Sequence, residues 1–391
     1  MTTTVEVQRA IAPDRIVDNR VYTDPRVYEQ ELERIFDRVW QFACHESEVR
    51  AAGDFVTLHI AGTPVIVNRD ADGQVHAFYN TCRHRGSMVV DNRRGHCSAF
   101  RCPYHSWVYS LDGQLVGIPG EEAYDGTGFR KEDFPLVELA CESIFGLVFV
   151  CMADDSEPLS AWLGDKIVDV LRTPLADGEY EVFSESADPL PVNWKVFAEN
   201  ARDGYHVPFV HPFFRKASPP GTYELSANGH AVQFLGMDPA GIEPELWEQL
   251  RRDPLPGLEV GDGYIVNIFP DLAITVRSNV VSIDFQRVQG PTELVMENRT
   301  LGLVGDSAET RAVRELSQRV WFADPVQLED YPIFHAQQRG VTSRGVRYSV
   351  IARGADALSG TRGDDNRLRH FWVEWRELMG TKTNSIELQG Q

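Results

Sequence analysis

The chain has 391 residues, enough for two or three domains with sizeable cores. Its 42% hydrophobic and 25% charged content is ordinary for a globular protein, and a formal net charge of −20 argues against general affinity for nucleic acid or anionic membrane. No apolar run reaches about eighteen residues, and the opening MTTTVEVQRA has neither a basic nor an apolar leader region, so a cytoplasmic, non-membrane protein is expected.

Residues 25–40 set Val27, Leu32, Ile35, Phe36 and Val39 at helical spacing, which predicts an amphipathic helix. From about 54 to 151 the pattern changes to short strands (DFVTLHI, PVIVNR, VHAFYN, WVYSL, IFGLVFVCM) with turns at Ala71-Asp72-Gly73 and Leu111-Asp112-Gly113. This reads as a small all-β domain, ending at the acidic stretch ADDSEP near residue 155.

Within it stand Cys82-Arg-His84, seventeen intervening residues, and Cys102-Pro-Tyr-His105. Each pair offers one thiolate and one imidazole from a strand end or turn. Two thiolates on one iron and two imidazoles on the other make a Rieske [2Fe–2S] centre, whose histidines raise its potential. The alternative is structural zinc, which usually separates a Cys-x₂-Cys pair from a His-x₃₋₅-His pair, unlike the mixed pairs here. Cys44, Cys97, Cys141 and Cys151 are expected to be reduced thiols, with no disulfides. Arg83, Arg85, Arg93, Arg94 and Arg101 crowd around the two motifs. Arg93 and Arg94 read as an exposed turn, suited either to docking an acidic electron donor or to lying at a solvated or subunit surface.

Beyond 155, strands are predicted at 264–269, 273–276, 280–288 and 292–301, and helices at about 192–202, 307–322, 325–338 and 366–378. Strands run together with helices flanking them, which predicts an α+β domain with an antiparallel sheet. The Gly- and Pro-rich stretch 215–265 reads as lid loops over a pocket. His206 and His211 are five residues apart with Pro208 between them, so a kinked segment can aim both imidazoles at one ion. Two histidines plus a carboxylate with open positions is the ligand set of non-haem Fe(II) oxygenases.

The carboxylate is sought in 324–338. Asp324 looks like a helix N-cap, with Pro325 at the first helical position and Gln327 completing a capping box. Asp330 has no such local duty and is favoured as the ligand, with Glu329 and Asp324 as alternatives and His335 as a supporting or surface residue. Asp203, three residues before His206, is either an exposed helical carboxylate or the acceptor of a hydrogen bond from the non-ligating nitrogen of a metal-bound imidazole. Arg277 and Arg287 are the candidates to hold a substrate carboxylate, although strand arginines commonly serve surfaces and interfaces.

Together these stretches resemble Rieske non-haem iron oxygenases, specifically the catalytic α subunit of aromatic ring-hydroxylating dioxygenases. The resemblance runs through Val39-Trp40, Cys82-Arg-His84-Arg-Gly86, Cys102-Pro-Tyr-His105-Ser-Trp107, the segment from Asn193-Trp194-Lys195 to His211, and Glu329-Asp330 with Gln338. It implies an N-terminal helical segment (1–40) packing on the catalytic domain, an all-β Rieske domain (41–155), and a catalytic domain of helix-grip fold (156–391). Cys82, His84, Cys102 and His105 would bind the cluster, and His206, His211 and Asp330 one Fe(II). Asp203 would bridge His105 of one subunit to His206 of its neighbour in a head-to-tail ring.

The implied activity is that of a terminal oxygenase. Electrons from NAD(P)H arrive through a reductase, with or without a ferredoxin, and a small aromatic substrate is cis-dihydroxylated or monohydroxylated. O- or N-demethylation is the sibling reading. A pure electron carrier needs only the cluster domain and leaves the rest without a purpose. The length is compatible with α₃ and with α₃β₃ assembly.

Overall fold

The short strands between residues 41 and 151 assemble, in the computed structural model, into two sheets. The structure describes residues 12–219, 221–361 and 363–384. The larger sheet has seven strands in the order Gln41–His45, Leu147–Cys151, Glu138–Ile144, Val75–Tyr79, Thr63–Arg69, Asp54–Ile60 and Arg94–His96. The smaller joins Phe100–Arg101, Val108–Tyr109 and Leu115–Gly117. These elements lie in one compact unit, Phe36–Leu159; the described residues up to Ile35 belong with the described residues from Ser160 onward. The sequence places the corresponding boundaries at 40/41 and 155/156.

The N-terminal helix is shorter than its periodicity predicts. It runs as α-helix over Pro25–Glu31, capped by the Asp24 side chain, and as π-helix over Leu32–Phe36. Val39 and Trp40 are buried as the chain enters the strand Gln41–His45, all five of whose residues are buried. Their apolar character therefore serves the approach to a sheet, not a helix face. Arg94 is exposed, but it opens an edge strand instead of a turn: it pairs with Val56, and its Nη2 lies 3.5 Å from Glu48 Oε1.

In the second unit an eight-stranded antiparallel sheet follows the order Tyr180–Leu190, Glu293–Leu303, Val280–Gly290, Leu272–Arg277, Gly263–Ile268, Ala231–Phe234, Thr222–Leu225 and Ser359–Thr361. Four of these were not predicted. The strands at 222–225 and 231–234 correct the lid-loop reading of 215–265, which also holds a helix at Pro244–Leu250. Each strand is four residues long amid Gly and Pro, too short for an alternation to register.

The chain from Ala308 to Val341 is nearly continuous helix: α over Ala308–Gln318, π over Arg319–Ala323 and again over Pro325–Asp330, then α over Tyr331–Val341. This corrects the N-cap reading of Asp324, which has helical dihedrals (φ −61°, ψ −48°) and makes no side-chain cap. Pro325 removes a backbone donor inside the helix, and the wider π turns accommodate it without ending the helix.

A buried polar network anchors the helix Trp194–Asn200, from which the segment bearing His206 and His211 continues. Lys195 Nζ lies 2.7 Å from Glu31 Oε1, both side chains 0% exposed. Glu31 also accepts the indole N–H groups of Trp194 (2.8 Å) and Trp375 (2.7 Å). One turn on, Glu199 accepts from the Tyr22 hydroxyl and from Trp372 Nε1, each at 2.8 Å, while burial pushes its carboxyl up to about 7. Lys195→Ala would leave Glu31 as a buried charge without its ammonium, a loss that typically costs about 3–5 kcal/mol. Urea unfolding should show that loss, and the double variant Glu31→Gln/Lys195→Met should recover much of it. A midpoint unchanged in Lys195→Ala would show that the pair does not hold this helix.

Candidate metal centres

The two Cys/His motifs fold into equivalent loops. Cys82 N–H donates to Ser87 O and Gly86 N–H to Cys82 O; in the second loop Cys102 N–H donates to Trp107 O and Ser106 N–H to Cys102 O. Each loop closes on a left-handed residue, Gly86 (φ 71°) and Ser106 (φ 58°), at the same offset from its cysteine. Both thiols are sunk into an apolar cluster, Cys82 3% and Cys102 1% exposed, among Phe55, Phe100 and Trp107. The imidazoles sit further out, half-buried, with His84 Nδ1 and His105 Nδ1 facing each other at 3.2 Å. Trp107 stacks on His84 at 4.9 Å.

Burial raises the Cys82 thiol above its usual range, and Cys102 beside it acts in the same direction. The Tyr109 hydroxyl, 3.3 Å from the sulfur, and the His84 amide oppose this by favouring thiolate. Paired buried sulfurs with donors aimed at them, and paired imidazoles outside them, form a donor set that fits a cluster held by thiolates on one iron and histidines on the other.

The second site is built by the break at Pro208. A short helix at Val207–Val210 gives way to His211, whose backbone is extended (φ −108°, ψ 94°), before a helix at Pro212–Ala217. The result turns both imidazoles inward. His206 Nε2 and His211 Nε2 are 3.2 Å apart, and Asp330 Oδ1 lies 3.7 Å from the first and 3.3 Å from the second. Among the described residues this is the one group of three or more His, Cys, Asp or Glu side chains whose ligand atoms fall within 4.8 Å of one another. Two imidazole nitrogens and a carboxylate oxygen turned on one point fit a divalent iron with positions left open.

Each histidine has a second carboxylate behind it. Glu329 Oε2 lies 2.6 Å from His211 Nδ1, so the consecutive acids Glu329 and Asp330 contact opposite nitrogens of one ring. Burial lowers the His211 pKa, but these two carboxylates prevail and raise it above the usual imidazole value. Asp203 Oδ2 is 3.3 Å from His206 Nδ1, without hydrogen-bond alignment, and its Oδ1 accepts from the Tyr205 amide at 2.7 Å. Despite burial, the His206 contact holds Asp203 below the ordinary carboxylate range. Asn200 adds a donor to Asp330 Oδ1 at 3.4 Å. Asp324 is exposed, and neither it nor His335 joins the group. Sequence reasoning missed Asn200 and Tyr109, and weighed Glu329 only as a ligand; the run of two acids was the available signal for the last.

The triad lines a cavity of about 130 Å³ whose walls are mostly apolar, including Phe197, Phe214, Leu235, Ile265, Trp321 and Phe322. An engineered apolar cavity of about 150 Å³ in another protein admits benzene, so this space suits a single ring.

Comparison with known proteins agrees with this chemistry. Residues 39–135 match the Rieske [2Fe-2S] domain, and residues 175–381 match the catalytic domain of the ring-hydroxylating alpha subunit. The chain is 34% identical over 388 residues to the 2-aminobenzenesulfonate 2,3-dioxygenase subunit alpha of Alcaligenes sp, covering 96% of each chain. It is 31% identical to the terephthalate 1,2-dioxygenase terminal oxygenase component subunit alpha 2 of Comamonas sp, covering 92% of this chain and 94% of that one. The naphthalene 1,2-dioxygenase of Rhodococcus sp. shares the fold, with a TM-score of 0.82 over 94% of each chain at 24% identity. The chain therefore belongs to the Rieske non-haem iron oxygenases, as the alpha subunit of a ring-hydroxylating terminal oxygenase. Proteins of this class carry a Rieske cluster and a mononuclear iron, and work with a reductase or ferredoxin that relays electrons from NAD(P)H. Among the described residues, no helix is long and apolar enough to cross a membrane.

Proposed function

We propose that this subunit hydroxylates a single-ring aromatic compound, with the cluster on Cys82, His84, Cys102 and His105 and Fe(II) on His206, His211 and Asp330. The observation that carries the reading is the convergence of two Nε2 atoms and one carboxylate oxygen on the wall of an apolar cavity large enough for one ring. The names of the two relatives above, for a benzenesulfonate and for terephthalate, also denote single-ring compounds. When bound, the iron supplies oxygen activation with electrons delivered singly by the cluster.

The chain's own residues do the rest. Glu329 and Asp203 orient the two imidazoles so that each presents Nε2 inward. The aromatic walls exclude water and hold the ring flat, and its pose decides whether one or two hydroxyl groups are introduced. Asp203 serves a second purpose in a ring of three copies, with or without a small β subunit, by linking His206 to His105 of the neighbouring subunit. Tyr205 and Phe209, the latter 71% exposed, flank His206 and are the kind of large apolar surface that a neighbouring subunit covers.

The test is to supply the purified protein with NADH and a reductase and to score a panel of single-ring arenes for oxygen uptake and oxygenated product. Brown protein with about two cluster irons and one mononuclear iron per chain, forming diol or phenol, is the expected result. Colourless protein with zinc on the four Cys/His ligands, or oxygen uptake without any oxygenated arene, would reject it.

A further inference from the structure

One side chain in the cavity has no evident part in holding iron or oxygen. Arg277, at the end of the strand Leu272–Arg277, is the only arginine or lysine among the described lining residues. Ala273 and Thr275 line the cavity as well, and alternate residues of a strand share a face, so Arg277 continues that wall. It is 4% exposed. Its guanidinium carbon lies 4.4 Å from the centre of the Trp321 ring, which is stacked on Phe214.

On the adjacent strand Gly263 pairs with Arg277, and a Cβ there would stand 2.7 Å from Nη1. The bare backbone at 263 is what admits the guanidinium to this position. A long side chain set between an indole and a glycine has little rotamer freedom left to lose when it binds. Asp284, another lining acid, pairs with Ala273, four residues from Arg277 and hence about 13 Å along the strand. Positive charge is thus placed at one end of this stretch of wall, away from that acid.

We infer that Arg277 receives the anionic group of the substrate, a carboxylate or sulfonate, while the attached ring lies against the aromatic wall. The substrate class would then be single-ring arene acids; this assignment rests on the oxygenase reading for what happens to the ring, but not for binding. A guanidinium offers two parallel N–H donors to the two oxygens of such a group, and in a buried site that pairing is far stronger than in water. It also explains how a chain of net charge −20 would accept an anion.

The experiment is anaerobic calorimetric titration of the holoenzyme with benzoate, benzenesulfonate and the uncharged isostere benzamide. Wild type should bind benzoate about 100-fold more tightly than benzamide, and Arg277→Gln should bring the two within about threefold. Arg277→Lys should fall between, because an ammonium keeps the charge and loses the fork. Equal binding of benzoate and benzamide by wild type, or full preference retained in Arg277→Gln with native cluster absorbance, would overturn the assignment.

If Arg277→Gln does not fold, Gly263→Ala decides. It keeps every charge but displaces the guanidinium, so a reduced preference supports the inference and an unchanged one defeats it. Anion preference with no arene oxidised would sink the oxygenase reading and leave Arg277 standing. Oxidation of neutral arenes without any anion preference would do the reverse.

Discussion

Asp330→Ala is expected to purify with its cluster spectrum intact and with mononuclear iron reduced to a small fraction of one per chain. Asp330 is buried, and its Oδ1 faces both imidazole Nε2 atoms, so its removal takes away the only anionic member of the group. Two imidazoles alone bind ferrous iron weakly and leave its charge uncompensated. Glu329→Gln should retain iron with affinity about 10–100-fold lower, because the lost carboxylate orients His211 from behind and does not reach the Nε2 side. Asp324→Ala should keep both metals, since Asp324 is exposed and caps nothing. Iron analysis with electron paramagnetic resonance of the three proteins checks this. Full iron in Asp330→Ala together with complete loss in Glu329→Gln would move the ligand by one residue.

Asp203→Asn is expected to keep both metals and to lower turnover by about 100-fold. An amide is close in shape to the carboxylate, so the Tyr205 amide contact can survive and the loop should hold its form. What it lacks is the negative charge that faces His206 Nδ1 and that, in the proposed ring, would also accept from a neighbouring His105. Single-turnover stopped flow separates the two roles. Re-oxidation of a prereduced cluster should slow in step with turnover if Asp203 links subunits. Cluster re-oxidation at the wild-type rate would restrict Asp203 to holding its own loop.

The clarity of each feature in the sequence follows the distance over which it is encoded. The Cys/His loops are local: five residues from Cys82 to Gly86, closed by their own backbone hydrogen bonds, make the motif and its geometry nearly the same thing. Pro208 between His206 and His211 is equally local, and the bend it announces is present. The choice between Glu329 and Asp330 is different, because it depends on the phase of a helix. The sequence reading favoured Asp330 by assigning Asp324 to a helix start that does not exist. The pairing of Lys195 with Glu31, 164 residues away, has no local signature at all. The edge strand Tyr180–Leu190 was missed because its residues are mostly polar and half-exposed, giving no apolar alternation to read.

The π turns at Arg319–Ala323 and Pro325–Asp330 have a consequence for how this segment can vary in length. A π turn holds one residue more than an α turn, and each residue in an α-helix advances about 100° around the axis. Removing one residue from a π turn lets that turn relax to α geometry while the residues on either side stay nearly in phase, so the carboxylate of Asp330 keeps its side of the helix. A residue added to the stretch, or one removed where the turns are already α, instead carries that carboxylate about 100° around the axis. The π turns are thus where this segment can shorten by a residue without parting Asp330 from the histidines. Variants one residue shorter within a π turn should keep their mononuclear iron, and variants one residue longer should lose it.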